Sequence, residues 1–224
     1  MKNNTVIVAT MAFVTLGTTT QSCVALATSS VGLALIKQIL LGGITKSLNI
    51  FSDKNSFLSN QLIDAAMPQQ LKDINNTLQK LGLSNLVEKE KEYIAQVAAF
   101  TVETSRPILI NAVNNLTAED AGRIAQGGTG VATQILRERT SQQLMAAIAP
   151  KVDAKLNEYG IVKSLNSALA GSNLLGGLLG GQNSTVTGGI SKLASEQMVN
   201  GLFSLIQNHE QQNSTSILNA VKGL

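Results

Sequence analysis

The chain has 224 residues, of which 44% are hydrophobic and 3% aromatic, with no Trp and a single Cys. This composition is that of a globular protein with an aliphatic core, and it excludes a disordered chain. The formal net charge of +3 is too small, and aromatic residues are too few, for a nucleic-acid-binding surface, so no nucleic-acid partner is expected.

The first 22 residues have the pattern of a bacterial export signal. Lys2 supplies a positive start, residues 5–16 form an uncharged and mostly apolar run, and residues 17–22 are small or polar. Cys23 follows directly, at the position where a bacterial lipoprotein is cleaved and acylated. We therefore predict that residues 1–22 are a signal peptide and that a lipid on Cys23 anchors the chain to a membrane.

Two other interpretations of the N-terminus stay open. Ala25-Leu26-Ala27 is a competing cleavage site, and its use would release a soluble periplasmic or secreted protein without the cysteine. No charged residue occurs between Lys2 and Lys37, so the third interpretation is an uncleaved membrane helix, although polar residues interrupt it.

The rest of the chain shows apolar residues at helical spacing. Residues 23–55 are predicted to be a membrane tether and a first helix, and residues 56–171 a helical core domain. Residues 172–189 contain the Leu-Leu-Gly-Gly sequence twice and are predicted to be a linker. Residues 190–224 are predicted to be C-terminal helices that pack on the core. The fold class is therefore all-α, an irregular bundle of about seven to nine helices.

A run of alternating charges, Glu88-Lys89-Glu90-Lys91-Glu92, lies in a long predicted helix. Alternating signs along a helix are typical of a solvent-exposed stretch with local ion pairs worth ~0.2–0.5 kcal/mol each. We therefore predict that this run is solvated.

The central stretch, residues 107–166, carries the clearest helix signals. Thr117 and Asp120 have the spacing of a capping box, in which each side chain accepts a hydrogen bond from the other residue's backbone N–H. Gly127-Gly128 then separates this helix from a longer one. Pro150 predicts a break or a kink within the longer helix, because it lacks an N–H and disfavours helical backbone before it.

Residues 137–143 of the longer helix contain no apolar side chain across about two turns. The simpler interpretation is a surface-facing stretch in which the Thr140 hydroxyl bonds its own backbone. The alternative is a polar cluster between adjacent helices in which Asp120 pairs with Arg137, because a buried charge needs a partner. The members of this candidate cluster are Asp120, Arg123, Thr133, Arg137 and Thr140.

Residues that commonly carry catalysis or bind metals are scarce. His209 is the single His and lies at a predicted helix end, which is typical of a surface position. One His and one Cys do not make a metal site, and no Gly-x-Ser-x-Gly pattern occurs. No metal, no cofactor and no catalytic residue is therefore predicted.

Short motifs occur in order along nearly the whole mature chain. They are Ser56-Phe57-Leu58 with Pro68; Leu78 to Leu83; Arg106-Pro107-Ile108; Leu116-Thr117 with Asp120-Ala121; Gly127-Gly128 with Ala132-Thr133; Thr140, Leu144 and Pro150; and Gly201-Leu202-Phe203 with Glu210. Together they resemble a family of bacterial envelope proteins known as the domain of unknown function number four-one-nine-seven. The resemblance implies a signal-bearing, mostly helical protein, often with a lipoprotein-like start, and it brings no established activity.

The chain departs from the pattern of that family in two places. Ile135 stands where an aromatic residue is common, and the Leu-Gly repeat replaces the region before the last helix. The first departure weakens any expectation of a shared aromatic-lined site.

These features lead to one functional hypothesis and two alternatives. The leading hypothesis is a non-catalytic, periplasm-facing lipoprotein of a Gram-negative cell envelope, on the inner or outer membrane, that binds a protein partner or an apolar ligand. The alternatives are an envelope enzyme using Asp120, Arg137 and Thr140, and a purely structural envelope protein. A deep apolar cavity would favour a ligand, a broad exposed apolar face a protein partner, and convergent polar groups in a cleft an enzyme.

Overall fold

The computed structural model describes residues 30–169 and 186–215, and the regular structure within these ranges is entirely helical. The predicted signal peptide, Cys23 and most of the predicted linker lie outside the described residues. The described ranges contain nine helices, which confirms the predicted all-α class and helix number. They are α1 (Ser30–Ser52), α2 (Lys54–Leu58), α3 (Gln61–Ala65), α4 (Gln69–Lys80), α5 (Ser84–Asn114), α6 (Ala118–Gly127), α7 (Val131–Glu158), α8 (Ile161–Leu169) and α9 (Val186–Gln212).

Four long helices, α1, α5, α7 and α9, form the frame of the bundle. Each packs along two of the others, in the cyclic order α1, α5, α7, α9 and back to α1. Lys37 near the start of α1 donates to the backbone oxygen of Asn114 at the end of α5, whereas Lys54, just beyond α1, pairs with Glu92. Helices α1 and α5 are therefore antiparallel.

Helix α7 runs antiparallel to both of its neighbours. Tyr93 near the start of α5 stacks on Tyr159 just beyond the end of α7, with ring centroids 4.5 Å apart. Thr133 near the start of α7 hydrogen-bonds Glu210 near the end of α9. The four long helices thus alternate in direction, as in an up-down-up-down four-helix bundle.

This arrangement gives the bundle two different ends. At the N-terminal end lie the start of α1, the end of α5, helix α6 and the start of α7. At the opposite, distal end, helices α2, α3, α4 and α8 pack around the start of α5 and the first half of α9. From Glu90 to Asn114, helix α5 rises ~36 Å, at ~1.5 Å per residue, so sites at the two ends are well separated.

Helix α1 belongs to the core. It is long and apolar enough to cross a membrane by length and composition, the one such helix in the described ranges. Burying a large aliphatic or aromatic side chain stabilises a protein by ~1.5–3 kcal/mol, so withdrawing five of them would cost roughly 8–15 kcal/mol. That is the whole stability of an ordinary domain, ~5–15 kcal/mol. The five side chains, each at most 2% exposed, are Ile36, Leu40, Ile44, Leu48 and Phe51.

The boundaries differ from the predicted ones in two respects. One continuous core extends from Ile36 in α1 to Ile206 in α9, so the first and last long helices are part of the frame and not additions to a separate domain of residues 56–171. Helix α9 begins at Val186, so the last four residues of the predicted linker, 186–189, are helical.

The predicted break at Pro150 is absent, since α7 continues through this residue to Glu158. An interior proline costs a helix ~3 kcal/mol. Ile148 and Val152, on either side of it, are both buried, and burial of two such side chains stabilises the helix by a comparable amount. Packing on the neighbouring helices therefore holds α7 together across the proline.

Candidate functional site

The five residues of the predicted polar cluster lie in separate contacts. The Thr140 hydroxyl donates to the backbone oxygen of Leu136 at 2.7 Å, the local bond of the simpler interpretation. Arg123 forms an ion pair with Glu138 at 3.5 Å, and both side chains are about half exposed. The Thr140 bond lies within α7, and the Arg123–Glu138 pair joins α6 to α7 at the surface. The other three members of the predicted cluster have their own partners.

Asp120 forms the predicted capping box but pairs with a different arginine. Its carboxylate accepts from the Thr117 N–H at 2.8 Å, and the Asp120 N–H donates to the Thr117 hydroxyl at 3.3 Å. Its ion pair is with Arg139 at 2.6 Å, so the predicted pair with Arg137 is wrong. Burial acts to raise the pKa of Asp120, but hydrogen bonds from Thr117 and Arg139 hold that pKa below its usual value.

Arg137 faces away from Asp120, towards α9. Its guanidinium donates to the Asn200 side-chain oxygen at 3.0 Å and lies 4.7 Å from the centre of the Phe203 ring. Two residues along a helix correspond to a rotation of about 200°, so Arg137 and Arg139 contact opposite neighbours of α7. Burial lowers the pKa of Arg137, and no carboxylate of the described residues pairs with it.

A double-mutant cycle separates the two arginines. We expect Asp120→Asn and Arg139→Met to be coupled by ~0.5–1.5 kcal/mol, because these residues share an ion pair. Asp120→Asn and Arg137→Met have no common partner, and their effects are expected to add within ~0.5 kcal/mol. Urea denaturation of the wild type, the single variants and both doubles measures these couplings. A coupling above ~1 kcal/mol between Asp120 and Arg137 would contradict the assignment.

A buried carboxylate from α9 caps the start of α7. Glu210 is 1% exposed, and its Oε1 accepts from the N–H groups of Gly130 at 2.8 Å and Ala132 at 3.2 Å. Its Oε2 accepts from the Thr133 N–H at 2.8 Å and from the Thr133 hydroxyl at 2.5 Å. The first N–H groups of a helix lack partners within it and form the positive end of its dipole. Glu210 therefore replaces the local cap that α7 lacks.

Only an indirect indication of this contact is present in the sequence. Gly130 occupies the N-cap position of α7 with φ +93°, and glycine has no side chain with which to cap the helix. A glycine before a long helix indicates that an acceptor must come from elsewhere. Two motifs of the family resemblance, the Ala132-Thr133 pair and the segment ending at Glu210, meet here. The site is a structural junction between α7 and α9.

His209, the preceding residue, is half-buried and not at the surface as predicted. Its ring lies against Gly42 and Gly43 of α1, where a Cβ on Gly43 would come within 3.2 Å of the imidazole. Burial, assisted by the charge of Lys46, lowers the pKa of His209. The two glycines of α1 thus allow the histidine to pack between α1 and the end of α9.

A second group of buried polar side chains lies at the distal end, between α4 and α5. Asn75 is 5% exposed and Glu90 is fully buried, contrary to the prediction that its charged run is solvated. The Asn75 amide donates to Glu90 Oε2 at 3.4 Å, while Asn75 Oδ1 and Glu90 Oε1 have no hydrogen-bond partner. Burial raises the pKa of Glu90 to about 7, against opposing effects of Asn75 and Lys91.

The burial of Glu90 follows from its position on the helix. It lies three residues after Val87 and four before Ile94, both of which are buried, so all three share one face of α5. Its neighbours Lys89 and Glu92 lie on the exposed side. The alternation of charges predicted exposure for the whole run, whereas the spacing from Val87 and Ile94 indicates that Glu90 faces inward.

A cavity of about 210 Å³, which we call the distal cavity, opens beside this pair. Charged side chains stand at its mouth, where Lys91 pairs with Asp64 at 3.3 Å and Lys72 donates to a backbone oxygen. A smaller cavity of about 30 Å³ shares some of this wall, and Gln197 Oε1 there also lacks a partner. The residues around the distal cavity are Asp64, Met67, Lys72, Asn75, Asn76, Gln79, Val87 and Lys91.

The side chains around the distal cavity are mostly polar or charged. The unpartnered buried atoms in this region, Asn75 Oδ1, Glu90 Oε1 and Gln197 Oε1, are all oxygen acceptors, and they are shielded from solvent. Within residues 30–169 and 186–215, no three side chains of His, Cys, Asp or Glu lie close enough together to hold a metal ion.

The fold defines the class of the molecule as an all-α protein on an antiparallel four-helix frame. The Glu210 carboxylate is buried near one end of this frame and the Glu90 carboxylate near the other. Residues 26–222 match the family model described as "Protein of unknown function (DUF4197)", and the chain belongs to that family. This confirms the resemblance seen in the sequence. Comparison with curated proteins and with solved structures gave no match.

Proposed function

We propose that this protein is a non-catalytic lipoprotein of the bacterial cell envelope, held at a membrane surface through Cys23, whose helical bundle faces the periplasm and binds a ligand. The observation that carries the proposal is the short distance along the chain between Cys23 and the core. Helix α1 begins at Ser30, and the face of the helix that packs on the core starts at Gly32 and Ile36. Any conformation of the intervening chain spans at most ~25 Å, at ~3.3–3.6 Å per residue.

Such a tether would keep the N-terminal end of the bundle close to the membrane. The burial of α1 favours a lipid anchor that precedes this helix. A membrane span formed by α1 itself is disfavoured, because it would remove the apolar face of the helix from the core. The distal cavity would then lie ~36 Å from the tethered end, measured along α5, and face the periplasm.

The binding role rests on the distal cavity. Of the two cavities described, the larger has a mostly polar lining and the smaller, with more apolar side chains, is only about 30 Å³. The large exposed apolar side chains of the described residues stand on separate elements: Val31, Leu58, Leu81 and Phe100. These observations favour a small polar ligand over the apolar ligand or protein partner expected from the sequence. The alternative enzyme is not proposed, because Asp120, Arg137 and Thr140 do not converge.

Metabolic labelling with a fatty-acid analogue tests the anchor. We expect the full chain, expressed in a Gram-negative host, to be labelled, and Cys23→Ser to be unlabelled, because the thiol is the acylated group. Thr20→Leu is the matched control. Thr20 lies three residues before Cys23, where leucine is the usual residue of a lipoprotein cleavage motif, so this change is expected to keep or increase labelling. Equal labelling of wild type and Cys23→Ser, or no labelling of either, would reject the anchor.

A further inference from the structure

We propose that Glu90 and Asn75 form a proton-dependent latch between α5 and α4. In the closed latch a protonated Glu90 donates from Oε1 to Asn75 Oδ1, and when this proton leaves to water the contact between the two helices opens. The inference goes beyond the proposed function, because it depends neither on acylation of Cys23 nor on a ligand in the distal cavity.

The latch accounts for two buried oxygen atoms that lack donors. Asn75 Nδ2 donates to Glu90 Oε2 at 3.4 Å, whereas Asn75 Oδ1 and Glu90 Oε1 are shielded from solvent and have no hydrogen-bond partner. An amide oxygen and an ionised carboxylate are both acceptors, so a charged Glu90 leaves both atoms unsatisfied. A protonated carboxyl group carries one O–H donor. With the proton on Oε1, the carboxyl and amide groups form two hydrogen bonds, and both oxygens gain a partner.

No positive charge compensates an ionised Glu90. Its side chain is fully buried, and none of the ion pairs among the described residues includes it. The charge of Lys91 lowers the pKa of Glu90, but the Lys91 ammonium group pairs with Asp64 of α3. A buried carboxylate without a cation is strongly unfavourable, which favours the protonated form.

Charged side chains on the other helices around the start of α5 either have partners elsewhere or are exposed. Ion pairs join Lys54 to Glu92, Lys155 to Glu158 and Lys192 to Glu196. On α4, Lys72 donates to the Ala65 backbone oxygen and Asp73 accepts from Gln69, while Lys80 is exposed, as is Lys163 on α8. A proton on Glu90 is therefore the simplest source of the missing donor.

Ionisation of Glu90 is relieved most directly by movement of α4. Asn75 lines the distal cavity and also bonds Glu90, whereas Glu90 is not part of the lining, so Asn75 separates the carboxyl group from the cavity. The wall of the cavity is formed largely by α4 and α5. Displacement of α4 would therefore admit water to the carboxylate and change the shape of the cavity.

Hydrogen exchange of the α4 amides, measured on the full chain in detergent micelles from about pH 5 to about pH 8, tests the latch. After correction for the intrinsic pH dependence of exchange, we expect the opening equilibrium at Ile74 and Leu78 to rise at least ~tenfold over this range. The pKa values of 4.5 for an accessible Glu90 and about 7 for the buried group limit the rise to roughly 300-fold. Leu144 in α7 is expected to exchange more slowly throughout, because the opening is local.

Glu90→Gln is expected to abolish the rise and to keep α4 protected at both pH values, because the Gln amide donates to Asn75 Oδ1 as the protonated carboxyl group does. Glu92→Gln, an exposed change on the same helix, is the matched control and is expected to retain the rise within about twofold. An infrared difference spectrum between wild type and Glu90→Gln at about pH 6 is expected to show a protonated carboxyl group, which an ordinary Glu has lost at this pH.

A second pair of variants tests the role of the amide. Asn75→Leu is expected to increase α4 exchange ~tenfold at about pH 5, because the Glu90 O–H loses its acceptor. Asn76→Leu replaces an exposed side chain of α4 and is expected to stay within about twofold of the wild type. Equal exchange in these two variants would overturn the latch. A pH-independent α4 opening in the wild type, a rise that persists in Glu90→Gln, equal exchange rates in α4 and α7, or no protonated carboxyl band would each overturn it as well.

Discussion

Replacing Glu210 with Ala is expected to lower the free energy of unfolding by ~3–5 kcal/mol. The carboxylate is the acceptor for three backbone N–H groups at the start of α7 and for the Thr133 hydroxyl. Each buried donor left without a partner costs ~1–3 kcal/mol, and water entering the space offsets part of the sum. The loss is a large part of the ~5–15 kcal/mol typical of a domain.

The controls for this prediction lie on the same helix. Glu196 pairs with Lys192 at 3.9 Å near the surface, so Glu196→Ala is expected to cost less than ~0.5 kcal/mol. Glu210→Gln retains one acceptor oxygen, so its loss of unfolding free energy is expected to lie between those of Glu210→Ala and Glu196→Ala. Urea denaturation gives the free energies of unfolding. If Glu210→Ala does not fold, hydrogen exchange of the Ala132 and Thr133 amides in Glu210→Gln measures how far the start of α7 has been weakened. Equal stability of Glu210→Ala and Glu196→Ala would contradict the capping role.

Glu90→Gln is expected to stabilise the protein at neutral and alkaline pH and to have little effect at acidic pH. The pKa of Glu90 rises from 4.5 to about 7 on folding, so the folded state holds its proton more tightly than the unfolded state. The free energy of unfolding is therefore not reduced by Glu90 below pH ~4.5, where the group is protonated in both states. It falls as the pH rises towards ~7, because the unfolded state gives up this proton more readily than the folded state. The shift corresponds to roughly 3 kcal/mol at ~1.4 kcal/mol per pKa unit, and relaxation around the ionised group makes ~1–3 kcal/mol the expected gain.

Urea denaturation of the wild type and Glu90→Gln at pH 4 and pH 8 measures this effect. Lys91, whose charge lowers the pKa of Glu90, is unchanged in the variant. Glu92→Gln, an exposed change on the same helix, is expected to shift stability by less than ~0.5 kcal/mol at either pH. The same stability difference between wild type and Glu90→Gln at both pH values would contradict a buried, ionising carboxylate.

The sequence predicted the features of the fold that depend on neighbouring residues. Helical periodicity and the capping box of Thr117 and Asp120 involve residues within one or two turns, so their effects can be seen in the sequence alone. The effect of Pro150 could not be predicted from the local rule, because burial of Ile148 and Val152 against other helices outweighs it.

The candidate sites were harder to predict, because they depend on how the helices pack. Arg137 and Arg139 are equally plausible partners for Asp120 by sequence, and only the placement of α6 and α9 around α7 distinguishes them. Glu210 and Thr133 are 77 residues apart, and no local pattern pairs them. Glu90 was missed for a different reason, since its spacing from Val87 and Ile94 was available but the surrounding charges indicated exposure.

The central proposal, a bundle tethered to a membrane through Cys23, is tested most directly by the intact mass of the protein purified from the membrane fraction of a Gram-negative host. The predicted mass is that of residues 23–224 with a lipid-modified N-terminal cysteine. A chain beginning at Thr28 without lipid would show cleavage after Ala27 and a released protein. A chain that retains Met1 would show an uncleaved anchor, and either result would contradict the proposal.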